Sequence, residues 1–364
     1  QYALYSIGGG YNSMPGAMMS QIGNKDLTWE KTYTLGVGVD AVLFDRITLN
    51  LDYYKKKTTD LLYNVPVSGV TGWSINYKNI GEVSNHGFEM TLGVDILKRT
   101  DWDWNISANL ALNRNEIKKL YGDKPEIIIE NAQSGIIGPA NKILKPGYDI
   151  DSWYTTEWAG VDPENGDPLW YMTDENGNRV KTNDYAKASA NPVICGSSNP
   201  DFYGGFSTSL RWKNLDLSAN FAYSVGGKVY NYMRMEFDSD GAYTDRNQMR
   251  LKDGWSRWQK KGDIATHPKA VYGNTSNSNS TSSRYLEDAS YLRLRNLTIG
   301  YTFPIKKVFS NLRIYMAGEN LFVLSGFSGI DPEVPPMNNG AATGVAGAVY
   351  PQTRKFVFGL NVSF

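Results

Sequence analysis

The chain ends with RKFVFGLNVSF, residues 354–364, and this stretch decides the fold. Its residues alternate, so that one face of the strand carries Phe356, Phe358, Leu360, Val362 and Phe364. The other face carries mainly small and polar residues. A strand of about ten residues with this alternation is typical of the wall of an outer-membrane β-barrel. The ending therefore predicts an all-β protein, a membrane-spanning antiparallel β-barrel.

Four earlier segments repeat the pattern, residues 46–55, 86–97, 102–113 and 215–224, and further strands are predicted at residues 29–40, 201–212, 291–303 and 311–322. Their polar faces carry Asp52, Glu89, Asp95 and Asn105, which suit a wet or plugged lumen. Alternating strand direction requires an even number of strands between residues 113 and 201. Residues 153–161 and 168–172, around the turn DPENGD, would supply two. A partial strand near Gln1 brings the total to about twelve.

The predicted connections alternate between short and long, as in outer-membrane barrels. Short turns fall at residues 42–45, 98–101, 213–214 and 304–309, and long connections at 56–85, 114–150, 225–289 and 323–352. Aromatic residues cluster beside the short turns and predict a periplasmic girdle: Phe44, Trp102, Trp104, Trp212, Tyr301 and Phe303. The long connections are then extracellular loops.

Composition and motifs exclude several function classes. The 37 basic and 37 acidic residues balance, so nothing favours nucleic acid as a partner. The two histidines, His86 and His267, have no partner at metal-site or triad spacing, and no phosphate-binding glycine motif occurs. We therefore expect no cofactor, no metal and no enzyme activity. Residues 174–178 (DENGN) and 162–168 predict tight turns rather than calcium loops, and Cys195 predicts a small, partly buried side chain.

The loop of residues 225–289 contains one plausible helix, residues 245–260. Its basic residues, Arg250, Lys252, Arg257 and Lys260, with Lys261, predict a solvated face, and Asp238, Asp240 and Asp245 predict a solvated acidic turn. Aromatic residues in the loops could stack on sugar rings or grip apolar groups, although loop packing explains each one as well. The candidate substrate-binding residues are Trp73, Tyr77, Trp153, Trp255, Trp258 and Tyr272.

Several stretches resemble SusC/RagA-type TonB-linked outer-membrane proteins, in the order in which that family has them. They include LTWEKTYTLGVGVD (27–40), LDYYKKKTTDLLY (51–63), NIGEVSNHGFEM (79–90) and WAGVDPENGDP (158–168). The series continues with residues 199–231, with YLEDASYLRLRNLTIGYTFP (285–304) and with the closing PQTRKFVFGLNVSF. The resemblance spans nearly the whole chain and its motifs are specific.

The resemblance implies a barrel of about 22 strands whose lumen is occluded by an N-terminal plug. It implies import of glycans or peptides across the outer membrane of a Gram-negative bacterium of the Bacteroidetes type, with a SusD-like lipoprotein and the TonB–ExbB–ExbD complex as partners. Residues 1–364 would be the C-terminal portion of the barrel, lying in outer-membrane lipid, with the plug and the TonB box outside this chain. Because Gln1 opens within an apparent strand and no leader is visible, we expect a piece of a longer protein. Phe364 resembles the terminal signal for barrel assembly.

Two other function classes fit parts of the sequence. A passive porin or a β-rich surface adhesin would show the same strands. A soluble carbohydrate-active enzyme would need paired carboxylates across a cleft, and here the carboxylates stand singly on strand faces or in loops.

Overall fold

A computed structural model describes residues 2–11, 14–66, 75–79, 81–120, 124–129, 141–304, 311–333, 344–347 and 350–363. The described chain is almost entirely strands and loops. Its two α-helices are short, α1 (Tyr185–Ser189) and α2 (Tyr232–Phe237). Two 3₁₀ turns follow them in the chain, at Tyr272–Asn274 and Ser283–Tyr285. Among the described residues, no helix has the length and apolar character needed to cross a bilayer.

The strands are numbered along the chain. They are β1 (Leu4–Tyr11), β2 (Met14–Gln21), β3 (Lys31–Leu43), β4 (Ile47–Thr59), β5 (Leu62–Pro66), β6 (Ile75–Asn79), β7 (Glu82–Lys98), β8 (Trp102–Lys119), β9 (Ile127–Ile129), β10 (Asn141–Leu144), β11 (Ser152–Thr155), β12 (Trp158–Val161), β13 (Pro168–Thr173), β14 (Arg179–Thr182), β15 (Val193–Ser197), β16 (Phe202–Trp212), β17 (Leu215–Val225), β18 (Lys228–Asn231), β19 (Leu286–Asp288), β20 (Tyr291–Phe303), β21 (Asn311–Ser325), β22 (Val345–Ala346) and β23 (Lys355–Ser363).

Nine long strands form one antiparallel sheet in the order β3-β4-β7-β8-β16-β17-β20-β21-β23. Each strand pairs with the next long strand along the chain, which is the up-and-down order of a barrel wall. All nine predicted long strands are confirmed, and the strand predicted for residues 291–303 has the predicted bounds. The strands β1 and β2 pair with each other as a separate hairpin.

The prediction of two wall strands at residues 153–161 and 168–172 is wrong. These residues do form strands, but β11 pairs with β10 and β15, and β12 and β13 pair with each other. The wall passes directly from β8 to β16. The reason is length, because β11, β12 and β13 have four to six residues and a membrane-crossing strand needs about 9–11.

The nine-stranded sheet has one apolar and one polar face. Large apolar side chains stand exposed along the first, among them Val37 and Val39 on β3 and Phe358 and Leu360 on β23. Rows of exposed apolar side chains of this kind are the lipid-facing band of a barrel. The second face carries polar side chains that hydrogen-bond to one another across the strands. For example, Asn105 Nδ2 donates to Asp95 Oδ1 at 2.9 Å. This is the face that the sequence predicts to line the lumen.

The short turns lie at one end of the sheet, together with the aromatic girdle. Trp102 stacks on Trp212 with ring centroids 5.5 Å apart, and Tyr301 meets Phe303 at 5.0 Å. The turn from β3 to β4 is tight, and Phe44 has a positive φ of 55°. The predicted turn at residues 304–309 lies mostly outside the described residues. The long loops leave the opposite, extracellular end.

Candidate functional site

Three long loops fold together at the extracellular end of the wall. They are residues 120–201, 226–290 and 326–354, and their described parts are called the loop unit here. Trp153 Nε1 donates to the Lys228 carbonyl at 2.8 Å, which joins the first loop to the second. The strand β18 joins the second loop to the third, because it pairs with both β19 and β22. The three loops therefore pack together as one folded unit.

The loop unit has its own apolar core. Trp153, Tyr230, Tyr285, Met235 and Val345 are buried against one another and come from all three loops. Cys195 packs against this core, and burial raises the pKa of its thiol to about 11. The prediction of a small, partly buried cysteine is confirmed.

Beside the core lies a buried ionic cluster. Asp238 and Asp240 are almost completely buried. Asp240 accepts hydrogen bonds from Arg284 Nη1 and Arg257 Nη1, both at 2.5 Å, and from Ser278 Oγ at 2.6 Å. Asp238 Oδ2 lies 3.2 Å from Arg234 Nε and 3.3 Å from Arg284 Nη2. The cluster ties the start, middle and end of the second loop together.

The charges in this cluster balance. Arg234 also bonds Glu287 at 3.1 Å, so three arginines face three carboxylates. Burial alone would raise the pKa of Asp240, but the Arg284 charge and the hydrogen bonds from Arg284, Ser278 and Arg257 outweigh it. The pKa of this carboxyl therefore lies below its ordinary value, and the group is ionised at neutral pH.

His267 completes the cluster. Its Nε2 lies 2.8 Å from Asp238 Oδ2 and its Nδ1 lies 2.8 Å from the Thr266 hydroxyl. The Trp255 ring packs on the imidazole at 5.0 Å, and the Arg234 guanidinium covers the same indole at 4.5 Å. Among the described residues, no group of histidine, cysteine and carboxylate side chains could hold a metal ion.

Two predictions about this loop are wrong. Residues 245–260 form turns and irregular chain instead of a helix, and Lys252 and Trp258 donate to the Phe327 and Pro163 carbonyls of the other two loops. Asp238 and Asp240 are buried instead of solvated, and Arg257 is largely buried beside them. Asp245 is exposed, as predicted.

The structure separates the predicted binding aromatics. Trp153 is buried in the core, and Trp255 is half-buried beside His267. Trp258 packs on Gly166, and its Nε1 donates to the Pro163 carbonyl at 3.1 Å. Tyr77 is 40% exposed on β6, and Tyr272 is 85% exposed. Trp73 and Phe364 lie outside the described residues.

The turns at residues 162–168 and 174–178 are confirmed. Asp162 Oδ1 accepts from the Glu164 amide at 2.9 Å, and Asp174 Oδ1 accepts from the Asn178 amide at 2.7 Å. The first turn docks on the second loop, since Lys269 Nζ lies 2.9 Å from Asp167 Oδ1. This contact forms one wall of a cleft.

The cleft holds about 390 Å³. Its polar side chains, which offer carboxylate, amide, ammonium and hydroxyl groups, are Asp167, Asn183, Lys269, Thr275 and Ser276. Tyr272 lies in the segment between Val271 and Thr275, which both line it. Hydrogen-bonding groups beside an exposed aromatic ring suit a sugar or a peptide backbone.

A second cavity, of about 250 Å³, lies where the loop unit meets the wall. Asp151, Ser198, Asn199, Tyr291 and Glu333 are among its lining residues. Lys142, which is buried next to it, donates to Ser198 Oγ at 2.6 Å and lies 3.2 Å from Asp151 Oδ1. Burial lowers the pKa of Lys142, and the Asp151 charge opposes that shift. This lysine fixes the cavity wall.

Comparison with known proteins agrees with this architecture. A family model described as "TonB dependent receptor-like, beta-barrel" matches residues 2–321. TonB-dependent receptor P3 of Formosa agariphila is 31% identical over 100% of this chain and 37% of its own length. TonB-dependent receptor SusC of Bacteroides thetaiotaomicron is 30% identical over 100% of this chain and 34% of its own length.

Among solved structures, the RagAB peptide transporter is similar, with a TM-score of 0.82 and 30% identity over 100% of this chain. The 'open-open' state of the RagAB peptide importer gives 0.79 and 28%. The chain covers 38% of the matched chain in each case. It thus spans little more than a third of the proteins that it resembles.

Proposed function

Because this chain belongs to the TonB-dependent receptor-like β-barrel family, among its SusC- and RagA-like members, and resides in the outer membrane, we propose that it is the C-terminal barrel portion of a nutrient importer. The imported nutrient is an oligosaccharide or a peptide. The observation that carries the proposal is the match of the entire chain, loops included, to a peptide transporter. That match favours a peptide, whereas the exposed loop aromatics suit either substrate.

The energy source and the partners belong to the same proposal. Import is driven by the TonB–ExbB–ExbD complex, which acts through a plug and a TonB box outside residues 1–364. A SusD-like surface lipoprotein covers the extracellular end, where the loop unit stands. The support is that the relatives are nearly three times as long as this chain and match it from end to end.

We place direct substrate contacts on the exposed aromatics and on the cleft. Tyr272 and Tyr77 present open ring faces, and Trp258 lies with the turn of residues 162–168 beside the cleft. Trp73 belongs to the same loop as Tyr77. Trp153 and Trp255 act indirectly, by holding the loop unit in the shape that forms the cleft.

Binding of defined ligands to the full-length protein with its lipoprotein tests the proposal. We expect a peptide mixture or an oligosaccharide panel to yield bound species in native mass spectrometry. Tyr272→Ala should weaken that binding by roughly tenfold, since a stacking aromatic contributes about 0.5–1.5 kcal/mol beyond its buried area. Tyr350→Ala is the control. Tyr350 is as exposed as Tyr272, but it lies in the third loop, none of whose described residues lines the cleft. Equal losses in both variants would contradict the assignment of the cleft.

A further inference from the structure

Three neighbouring wall strands carry a transverse row of basic side chains. The strand register sets Lys55 of β4 opposite His86 of β7, and His86 opposite Arg114 of β8. Residues that are direct cross-strand neighbours have Cβ atoms about 4.5–5.5 Å apart. The three side chains therefore form one continuous basic row, which is called the basic row below.

The basic row lies on the lipid-facing side of the wall. The next residues on the same face lie two positions closer to the short turns, and they are Tyr53, Phe88 and Leu112. Tyr53 is opposite both Val37 and Phe88, and Phe88 is opposite Leu112. Val37 and Tyr53 are exposed on the apolar face. Since side chains two residues apart share a face, the basic row continues that face, about 6.6 Å further along the strands. On β4, β7 and β8 the basic row follows the last apolar residue of this face on the extracellular side, whereas β3 places Leu35 opposite Lys55.

Placing basic groups side by side costs free energy unless an anion lies among them. Among the described residues, the ion pairs around this level join Arg114 to Asp201 at 3.0 Å, Lys57 to Glu82 at 2.8 Å and Lys118 to Glu116 at 2.6 Å. None of these pairs includes Lys55 or His86. The basic row therefore offers more hydrogen-bond donors than the neighbouring carboxylates use.

The basic row is local. At the same level on β3, Leu35 lies opposite Lys55, and on the strands beyond β8 this face is apolar up to the extracellular end of the regular pairing, where Phe202, Tyr223, Leu292 and Leu324 lie level with Leu112 or Leu110. Basic side chains that merely extend from lipid into water would have no reason to gather on three strands. A bound anion gives such a reason.

We propose that Lys55, His86 and Arg114 bind the phosphate group of an outer-leaflet lipid. Ammonium, imidazole and guanidinium groups are all donors to phosphate oxygens, and arginine offers two donors at once. The acyl chains of the same lipid would lie along Tyr53, Phe88 and Leu112. The wall thus carries a lipid site outside the lumen, independent of the transported nutrient.

The test uses the full-length protein in detergent micelles, with diphosphoryl lipid A as the probe and its dephosphorylated form as the comparison. The Lys55→Gln/His86→Gln/Arg114→Gln variant should bind the phosphorylated lipid at least about tenfold more weakly, since each basic group near an anionic surface contributes about fivefold. Lys56→Gln removes the same charge from the lumen-facing side of β4 and should leave lipid binding unchanged.

Heat-modifiable gel mobility shows whether each variant has assembled, and Lys55→Gln alone, expected to lose about fivefold, serves if the triple variant has not. Equal binding of both lipids, or unchanged binding by the variants, would overturn the proposal. Inorganic phosphate should fail to displace the lipid. Displacement by phosphate alone would show a free-anion site and would overturn the lipid assignment.

Discussion

Asp240 is the residue on which the extracellular loops depend most. It is fully buried and accepts hydrogen bonds from Arg284, Arg257 and Ser278. Asp240→Asn leaves the three arginines of this buried cluster facing two carboxylates, Asp238 and Glu287, so one positive charge is no longer balanced. Breaking a buried ion pair from one side costs about 3–5 kcal/mol. We expect amide hydrogen exchange across residues 234–285 to accelerate by at least a hundredfold, while the wall strands keep their protection.

Asp245→Asn is the matched control for that experiment. Asp245 lies in the same loop, but its side chain is 80% exposed, and its ion pair with Arg246 is long, at 4.0 Å. An exposed pair contributes little, so exchange should stay as in the parent protein. Equal protection in the two variants would show that the ionic cluster does not hold the loop unit together.

The same carboxyl predicts a dependence on pH. Its pKa is lower in the folded loop unit than the ordinary value of about 3.9. A depressed pKa contributes stability that is fully present above the ordinary value and is lost as the pH falls through the folded value. Loop-unit stability, followed by tryptophan fluorescence in denaturant, should be level between about pH 7 and pH 5 and fall below about pH 4. In Asp240→Asn this acid-dependent loss should be smaller, and an identical loss would contradict the assignment to Asp240.

Little in the sequence around residues 238–240 indicates this cluster. Aspartates among serine and glycine have the composition of a surface turn, and the residues that bury them lie up to 46 positions away. His267, one of two histidines in 364 residues, is the one unusual residue among their partners, but it lies 27 positions beyond Asp240. Its rarity carries no information about its partners. Sites built from distant loop residues need the tertiary structure before they can be recognised.

At the scale of elements, the wall strand β20 contains a bulge that the alternation reveals. Apolar residues fall on even positions at Leu292 and Leu294, and on odd positions from Leu297 onward. Against β17 the register shifts between Leu294 and Asn296, so Arg295 is the extra residue on that side, whereas on the other side Arg295 faces two residues of β21, Asn320 and Leu321. The bulge keeps both apolar sets on the lipid face. It also lets Arg295 bond Glu333 of the third loop.

Two single deletions in β20 test this account. Deleting Arg295 removes the residue that is extra against β17 and makes the alternation of β20 continuous, so the barrel should still assemble. Deleting Thr298, in the regular part of the strand, shifts the register by one and turns every side chain on one side of it to the wrong face. We expect assembly to fail for that variant alone, as judged by heat-modifiable gel mobility. Assembly of both would show that register is not fixed by the lipid-facing pattern.

The wall could be predicted from the sequence because the bilayer imposes one simple pattern on every crossing strand. All nine predicted long wall strands are confirmed. The even number of strands that alternating direction requires also places β11, β12 and β13 in the wall, but they lie within the loop unit, where no bilayer sets their length. Strand direction alone does not separate the two environments. Strand length does, and applying it would have placed residues 153–172 in a loop.

At the scale of the whole molecule, β23 is one edge of the described sheet and must find a partner for a barrel to close. Phe364 follows it and lies outside the described residues. We predict that deleting Phe364 lowers the yield of assembled barrel in the outer membrane more than it impairs the barrels that do assemble. Quantifying heat-modifiable protein in membrane fractions measures the first effect, and ligand binding per assembled barrel measures the second. A normal yield would contradict the role of Phe364 as an assembly signal.

Energised uptake by cells tests the central claim, active import of a nutrient, most directly. Labelled peptides and oligosaccharides are supplied to the parent strain, to a strain lacking the gene, and to parent cells whose proton-motive force has been collapsed. An importer predicts that at least one labelled class enters the parent strain and is excluded in the other two. Uptake that survives loss of the proton-motive force would point to a passive pore, and uptake unchanged by loss of the gene would contradict the account altogether.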